Sequence, residues 1–287
     1  MNVREALRDA AVRLDPVSGT GRLDAAFLLM HAGGVTRAEM LAHGDRALEG
    51  EAAERFRAAV ERRERGEPLA YVTGEAGFYG RMFAVDARVL VPRPETEIAI
   101  EWAVRHLDAI GRRSGRALDL GTGSGAIGIT LACELPDLTV IATDASADAL
   151  AVARGNAARN DVFQHVTFLR GDLAEPALRF GPYDAVVANL PYVPSAECAQ
   201  APDPVSFEPL AARDGGADGL ALYRRLVPDL AALAAPRGIV ILEAAPANAR
   251  ALGALVADAL PHAGIEIVAD YAGHERFVIA AVPEKAA

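Results

Sequence analysis

A glycine-rich turn between a short apolar strand and an apolar helix is the feature that most constrains the fold of this chain. Residues 117–120 predict the strand, Gly121-Thr122-Gly123-Ser124-Gly125 form the turn, and residues 126–135 predict the helix. This order of elements is typical of the nucleotide-binding corner of a doubly wound α/β sheet. Glycine lets the backbone turn sharply and lets a ligand approach without meeting Cβ atoms. The turn therefore predicts an α/β fold with a ligand held at residues 121–125.

The chain beyond residue 94 alternates predicted strands with predicted helices. Strands are predicted at 117–120, 139–143, 166–169, 185–188 and 239–242, near Val268 and at 277–281, and helices at 126–135, 147–159, 220–235 and 247–260. Alternation of this kind predicts a mostly parallel sheet with helices on both faces.

The first 75 residues follow a helical period instead. Apolar residues recur at helical spacing from Val3 to Leu14, and further helices are predicted at 23–30 and 51–65. Over 77–91 the period changes to one that favours a β-hairpin, and the prolines that follow force an extended turn. We therefore predict a helical domain over 1–75, a β-hairpin linker over 76–93 and an α/β domain over 94–287.

The composition excludes several classes of function. The 287 residues carry a formal net charge of −10, whereas proteins that grip nucleic acid usually present a basic face. The two cysteines form no CxxC pair, and the six histidines have no metal-ligand spacing. The N-terminus lacks a signal-peptide pattern, and no long uncharged apolar run is present. We expect a cytoplasmic protein without a metal, a membrane span or a direct nucleic acid partner.

Acidic residues at neighbouring strand ends indicate what the glycine turn binds. Asp144 ends the strand after the turn, where a carboxylate can accept hydrogen bonds from ribose hydroxyls. Asp172 follows the third strand and is a candidate to bind an adenine amino group, with Leu173 covering the ring. Asp119 directly precedes the turn and favours a cationic sulfonium ligand. Residues 123–128 also spell GxGxxG, so a dinucleotide stays open on the turn alone.

A polar tetrapeptide follows the fourth strand of the α/β domain. Asn189-Leu190-Pro191-Tyr192 places a carboxamide, a fixed carbonyl and an aromatic ring at the sheet edge where ligands bind in such folds. The N–H groups of an amide or amine substrate need acceptors, which the Asn189 side-chain oxygen and the Leu190 carbonyl can supply. Pro191 holds the backbone, and the Tyr192 ring can stack on a planar target. The tetrapeptide therefore predicts an acceptor site for methyl transfer to nitrogen.

The tetrapeptide resembles the (Asp/Asn)-Pro-Pro-(Tyr/Phe) signature of amino-group methyltransferases. Further segments resemble the PrmC/HemK family over nearly the whole chain: Phe78-Tyr79-Gly80, Val91-Pro92-Arg93-Pro94-Glu95-Thr96-Glu97, residues 119–127, Asp214-Gly215-Gly216-Ala217-Asp218-Gly219-Leu220 and Gly273-His274-Glu275-Arg276. The resemblance implies a class I methyltransferase with a Rossmann-like sheet, a small N-terminal helical domain and a linking β-hairpin. It implies transfer of a methyl group from S-adenosyl-L-methionine to N5 of a release factor glutamine, with the helical domain recognising that protein.

Two positions depart from the family pattern. Leu190 stands where the family has proline, and Glu243-Ala244-Ala245 replaces a glutamate, an aliphatic residue and a glycine. The Leu190 departure leaves the carbonyl in place, and we expect the second to alter only the turn after its strand.

Other functions share parts of the pattern. A glutamine methyltransferase for a ribosomal protein would share nearly every motif. A DNA adenine-N6 methyltransferase would share the tetrapeptide but would need a basic cleft for the flipped base. An NAD-dependent dehydrogenase and a binding module with a decayed site are the remaining alternatives. Binding of labelled S-adenosylmethionine against NADH separates the dehydrogenase from the methyltransferases.

Overall fold

The computed structural model describes residues 1–198 and 204–284, which divide into two compact units. Met1–Glu75 and the described residues 204–207 make up the first unit. The described residues of 76–198 and 208–284 make up the second. In the described ranges, no helix has the length and apolar character that crossing a bilayer requires.

The first unit is helical, as predicted. Its helices are α1 Val3–Ser18, α2 Gly21–Gly33, α3 Arg37–Ala42, α4 Gly50–Glu64 and α5 Leu69–Thr73. Asn2 caps α1 and forms a capping box with Glu5, which satisfies two of the free N–H groups at the start of the helix. The helices pack around a buried apolar core that includes Leu14, Leu28 and Phe56.

One ion pair is buried within this helical unit. Arg63 Nε of α4 donates to Asp24 Oδ2 of α2 at 2.7 Å, and each side chain is 7% exposed. Arg63 Nη1 also donates to the Glu67 carbonyl at 3.0 Å. Removing either charge would leave the other without its partner in the unit's interior, so the pair constrains how α2 and α4 pack.

The second unit is α/β. Its strands are β1 Glu75–Phe78, β2 Arg81–Ala84, β3 Arg116–Leu120, β4 Thr139–Asp144, β5 Val166–Arg170, β6 Tyr183–Ala188, β7 Ala234–Glu243, β8 Gly264–Ala269 and β9 Glu275–Ala281. Its helices are α6 Glu97–Ala109, α7 Ala126–Glu134, α8 Ala147–Arg159, α9 Ser195–Cys198, α10 Ala221–Leu226, α11 Leu230–Leu233 and α12 Ala249–Ala259.

Seven strands form one sheet in the order β5-β4-β3-β6-β7-β9-β8. The first five are parallel, and β9 runs antiparallel to both of its neighbours. The order reverses direction between β3 and β6, which is the topological switch point where such sheets bind ligands. The predicted doubly wound, mostly parallel sheet is therefore confirmed, and β1 and β2 form the predicted hairpin apart from it.

Alternate residues of the central strands supply two apolar layers. On β3, Ala117 belongs to one buried cluster, whereas Leu118 and Leu120 belong to the other. On β6, Val187 and Val186 divide in the same way. Because both faces are covered, these strands are mostly apolar, as parallel strands in α/β proteins are.

The predicted helix over 220–235 is wrong in extent. The structure has α10, a 3₁₀ turn at Val227–Asp229 and α11, and the chain enters β7 at Ala234. Pro228 lies in that turn and has no N–H to donate to the carbonyl four residues earlier, so a continuous α-helix is interrupted there. The hairpin strands end at Ala84, so residues 85–91 lie outside the strands that the sequence predicted there.

Candidate active site

The carboxyl ends of three adjacent strands bring the predicted site residues to one edge of the sheet. In the register of the sheet, Leu120 at the end of β3 pairs with Thr143 of β4 on one side and with Ala188 of β6 on the other. The glycine turn follows Leu120 directly, Asp144 follows Thr143, and Asn189 follows Ala188. The predicted donor and acceptor residues therefore start from neighbouring strand ends.

Three positions of the glycine turn require a residue without a side chain. Gly121, Gly123 and Gly125 have φ of +70°, +55° and +86°, a region that side-chain-bearing residues rarely adopt. A Cβ at Gly125 would lie 2.4 Å from the Ile129 Cδ1 atom. The turn is closed by the Gly125 N–H, which donates to the Thr122 carbonyl at 2.8 Å. The turn is thus a closed loop that packs against α7 and leads into it.

Asp119 is hydrogen-bonded to this turn and to the first part of α7. Its Oδ2 accepts hydrogen bonds from Thr122 Oγ1 at 2.6 Å and from the Gly128 N–H at 2.9 Å. Its Oδ1 accepts no hydrogen bond from the residues that the structure describes. Complete burial raises the pKa of Asp119 to about 6. A buried carboxylate oxygen normally has a partner, so this atom suits a positively charged group held at the turn.

Asp144 lies against the same turn. Its Oδ2 accepts from the Gly123 N–H at 2.9 Å, and its Oδ1 accepts from the Ser146 N–H at 2.8 Å. Burial raises the pKa of this carboxyl group. Each carboxylate oxygen has a second lone-pair direction, so Asp144 retains capacity for the hydroxyl groups that the sequence analysis assigned to it.

Asp172 and Leu173 lie after β5, at the third strand end. The Asp172 carboxylate forms an ion pair with Arg225, and its side chain is 55% exposed. Leu173 has a φ of +46°, and its carbonyl accepts from Thr143 Oγ1 at 3.0 Å. The ion pair with Arg225 is a contact that the sequence did not indicate. The adenine contacts of Asp172 and Leu173 stay predictions.

Leu190 joins the tetrapeptide to the glycine turn. A Cβ on Gly121 would lie 2.9 Å from Leu190 Cδ2, so the leucine side chain occupies the space that glycine leaves. The Leu190 side chain is buried, and its N–H donates to the Tyr223 hydroxyl at 3.2 Å. Tyr223 in turn donates to the backbone carbonyl of Glu243. The leucine that departs from the family pattern therefore fits closely between turn and sheet.

Asn189 and Leu190 of the tetrapeptide each carry an oxygen that accepts no hydrogen bond from the described residues. Asn189 Nδ2 donates to Thr96 Oγ1 at 3.1 Å, whereas Asn189 Oδ1 accepts nothing from the described residues. The Leu190 carbonyl likewise accepts no hydrogen bond within the part of the chain that the structure describes. Asn189 is half-buried. Two adjacent acceptors are therefore available to a donor such as an amide NH2 group.

Tyr192 and Glu243 extend the site in a way that the sequence did not predict. The Tyr192 hydroxyl donates to Glu243 Oε1 at 3.3 Å, and Thr96 Oγ1 donates to Glu243 Oε2 at 2.7 Å. Burial raises the pKa of Tyr192, and it raises the pKa of Glu243 to about 7. Glu243 lies 2% exposed at the end of β7. The sequence does contain a signal for Glu243, because this residue is a lone carboxylate directly after the apolar stretch from Gly238 to Leu242.

Comparison with known families and proteins agrees with this geometry. Residues 5–74 match the PrmC N-terminal domain family, and residues 95–201 match the Methyltransferase small domain family. The release factor glutamine methyltransferase of Moorella thermoacetica is 40% identical, and the alignment covers 98% of each chain. Those of Deinococcus radiodurans and Bacillus subtilis are 38% and 34% identical, over 97% of this chain and 98% and 97% of theirs.

A solved structure adds the fold. The hMettl16 catalytic domain in complex with MAT2A 3′UTR hairpin 6 has a TM-score of 0.54, is 17% identical and aligns over 82% of each chain. Methyltransferases of this fold imply a methyl donor of the S-adenosylmethionine type. The three glycines of the turn and the Asp144 carboxylate fit such a donor, as does Asp119 Oδ1, which accepts no hydrogen bond from the described residues. With relatives this similar over almost its whole length, the chain belongs to the release factor glutamine methyltransferase family.

Proposed function

We propose that this chain transfers a methyl group from S-adenosyl-L-methionine to the side-chain amide nitrogen, N5, of the glutamine in the Gly-Gly-Gln motif of peptide chain release factors. The observation that carries the proposal is that Asn189 Oδ1 and the Leu190 carbonyl, beside the glycine turn, accept no hydrogen bond from the described part of the chain. The family membership supports the choice of glutamine and release factor over the alternatives that share the tetrapeptide.

Several residues are proposed to hold the donor. The donor lies against the glycine turn, Gly121-Thr122-Gly123-Ser124-Gly125, and Asp144 accepts from its ribose hydroxyls. Asp172 accepts from the adenine amino group, and Leu173 covers the ring. S-adenosyl-L-methionine supplies, when bound, a methyl carbon made electrophilic by its attachment to a positively charged sulfur.

The acceptor residues act on the glutamine amide. Its nitrogen is a poor nucleophile because the lone pair is delocalised into the carbonyl. Asn189 Oδ1 and the Leu190 carbonyl accept its two N–H groups, which raises the electron density on nitrogen and fixes its direction. The C–S bond breaks as the N–C bond forms, and the nitrogen then releases one proton to water.

Orientation contributes most of the rate acceleration in this scheme. Each hydrogen bond is worth about 0.5–1.5 kcal/mol net. Alignment of two reacting atoms is worth up to about 7–11 kcal/mol. Pro191 restricts the backbone of the acceptor loop, and the Tyr192 ring packs on the planar amide. No general base is needed, because the methylated amide loses its proton readily to water.

The helical domain over 1–75 is proposed to recognise the release factor, with 76–93 as the linking hairpin and 94–287 as the catalytic domain. A largely apolar groove of about 960 Å³ lies on the helical unit; its lining includes the apolar Leu23, Phe27 and Leu41 and the arginines Arg4, Arg8, Arg22 and Arg37. Leu23, Phe27 and Leu41 are 53%, 52% and 67% exposed, which is unusual for large apolar side chains in a group. Such an apolar surface supports a protein partner.

Mass spectrometry of a release factor tests the proposal. The purified factor is incubated with enzyme and donor, and we expect one added methyl on the glutamine of its Gly-Gly-Gln loop. A factor with alanine in place of that glutamine is the matched control and should gain none. Methylation of a ribosomal protein or of duplex DNA in parallel reactions, with none on the release factor, would reject the proposal.

A further inference from the structure

A chain of three side chains ends on the predicted acceptor residue. Asn189 Nδ2 donates to Thr96 Oγ1 at 3.1 Å, and Thr96 Oγ1 donates to Glu243 Oε2 at 2.7 Å. Thr96 and Glu243 are 4% and 2% exposed, so water does not compete freely for these contacts. The three residues come from the 3₁₀ turn Pro94–Thr96, the end of β7 and the loop after β6.

When Glu243 is ionised, the protons in this chain permit only one orientation of the carboxamide. A hydroxyl group has a single proton, and an ionised carboxylate has none. The Thr96 proton therefore points to Glu243, and a lone pair of Thr96 faces Asn189. Only the NH2 group of Asn189 satisfies that lone pair, whereas the reversed carboxamide would set two acceptors against each other. The Asn189 oxygen is consequently directed away from Thr96.

This orientation is the one that an amide substrate requires. A glutamine NH2 group presents only donors. If the Asn189 NH2 group faced it, two donors would face each other and no hydrogen bond would form. We propose that Thr96 and Glu243 are positioning residues that hold the Asn189 carboxamide oxygen toward the substrate nitrogen. The inference deepens the proposed function and rests on it for the identity of the substrate nitrogen.

Glu243 also holds the other members of the tetrapeptide. Its Oε1 accepts from the Tyr192 hydroxyl at 3.3 Å. Its backbone carbonyl accepts from Tyr223, whose oxygen takes the Leu190 N–H at 3.2 Å. The Leu190 peptide and the Tyr192 ring are therefore tied to the residue that sets the carboxamide. One glutamate thus connects both acceptor groups and the stacking ring.

The test compares Thr96→Val, which removes the hydroxyl at nearly constant volume, with Thr96→Ser, which keeps it. We expect Thr96→Val to lower kcat about 10- to 100-fold, as the loss of an oriented hydrogen bond to a charged carboxylate implies. Thr96→Ser should stay within about threefold of the unaltered chain, and donor Kd should change less than about threefold in both variants. Thr130→Val is the matched control, because Thr130 is buried and its hydroxyl has no partner among the described residues.

A second readout does not depend on turnover. The side-chain NH2 signals of Asn189, assigned by their loss in Asn189→Asp, report hydrogen exchange with solvent. Exchange should be about 10-fold faster in Thr96→Val than in the unaltered chain and unchanged in Thr96→Ser and Thr130→Val. Equal exchange and equal kcat in Thr96→Val would overturn the inference. Failure of the unaltered chain to methylate any release factor would instead reject the proposed function, whereas the exchange result would still stand.

Discussion

The Thr96 hydroxyl donates a 2.7 Å hydrogen bond to the Glu243 carboxylate across 147 positions of the sequence. Glu243 is nearly fully buried, and desolvation raises its pKa to about 7. The groups that face it include Thr96 and Tyr192, which donate to it, Arg276, which favours its ionised form, and Glu95, which opposes it. Ionisation of this carboxyl group therefore falls within the pH range in which enzymes are assayed.

The activity should rise with pH through about 7. Ionised Glu243 accepts a hydrogen bond from Thr96 and, as proposed, keeps the Asn189 oxygen toward the substrate, whereas protonated Glu243 can donate to Thr96 and allow the carboxamide to turn. We expect kcat to increase between pH 6 and 8 with a midpoint at about 7, set by the pKa of Glu243. Glu243→Gln should flatten that rise, and an unchanged profile in this variant would assign the titration to another group.

The same carboxyl group should make stability fall as pH rises, whereas activity rises. Its pKa is higher in the folded chain than the ordinary value of 4.5, so the unfolded state releases the proton first as pH rises. The favourable contribution is complete below about 4.5 and is lost as pH rises through about 7, a loss of about 3 kcal/mol at most. Urea unfolding at pH 5 and 8 should show a smaller fall in the free energy of unfolding for Glu243→Gln than for the unaltered chain. An equal fall in both chains would contradict the assignment.

Asn189→Ala should abolish most turnover. Its Oδ1 is one of the two acceptors available to the substrate amide, and loss of an oriented polar group in a catalytic site lowers kcat about 100-fold or more. Donor Kd, measured by calorimetry, should stay within a few-fold. Asn189→Asp keeps an acceptor oxygen and should retain more activity than alanine. Full turnover in Asn189→Ala would remove this residue from the mechanism.

Asp144→Ala should weaken donor binding by about 10-fold or more, since it removes a carboxylate that accepts from the Gly123 N–H and is proposed to accept from the ribose. Calorimetry with S-adenosyl-L-methionine gives the dissociation constant. Asp148→Ala is the control, because that aspartate is exposed in the first turn of α8. Equal donor affinity in the two variants would count against the ribose contact.

The apolar groove of the helical unit should control substrate affinity rather than chemistry. Phe27→Ala removes an exposed ring from the groove, and we expect the Kd for the release factor to rise about 10-fold at unchanged saturating kcat. Phe163→Ala removes a similarly exposed ring elsewhere, at 46% exposure, and should leave binding unaltered. If both variants bind the release factor as the unaltered chain does, another surface recognises it.

Asp24→Ala should destabilise the helical unit strongly. The Asp24–Arg63 pair is buried, and removing one partner of such a pair costs about 3–5 kcal/mol because the other charge stays without compensation. Chemical denaturation measures the change in the free energy of unfolding. Glu51→Ala breaks the exposed pair with Arg55 on α4 and should cost less than about 1 kcal/mol. An equal loss of unfolding free energy in the two variants would mean that the buried pair stabilises the unit no more than the exposed pair does.

Local sequence determined the architecture because its signals act over short distances. The period of apolar residues separates the helical unit from the α/β unit, and the three glycines of 121–125 are required by positive φ angles. The polar tetrapeptide could be identified in the same way, because it directly follows an apolar strand in the sequence. The break in the predicted 220–235 helix was missed although Pro228 marks it, because the apolar period continues through the proline.

Tertiary structure alone decided how the acceptor residue is oriented. Neither Thr96 nor Glu243 has a local pattern that connects it to Asn189, since 93 positions separate Thr96 from Asn189 and 147 separate Thr96 from Glu243. Their contacts arise because β7 pairs with β6 and the turn before α6 packs at the same sheet edge. The sequence by itself determines which groups can accept a hydrogen bond, but the direction of each bond depends on partners that only folding brings within hydrogen-bond distance of one another.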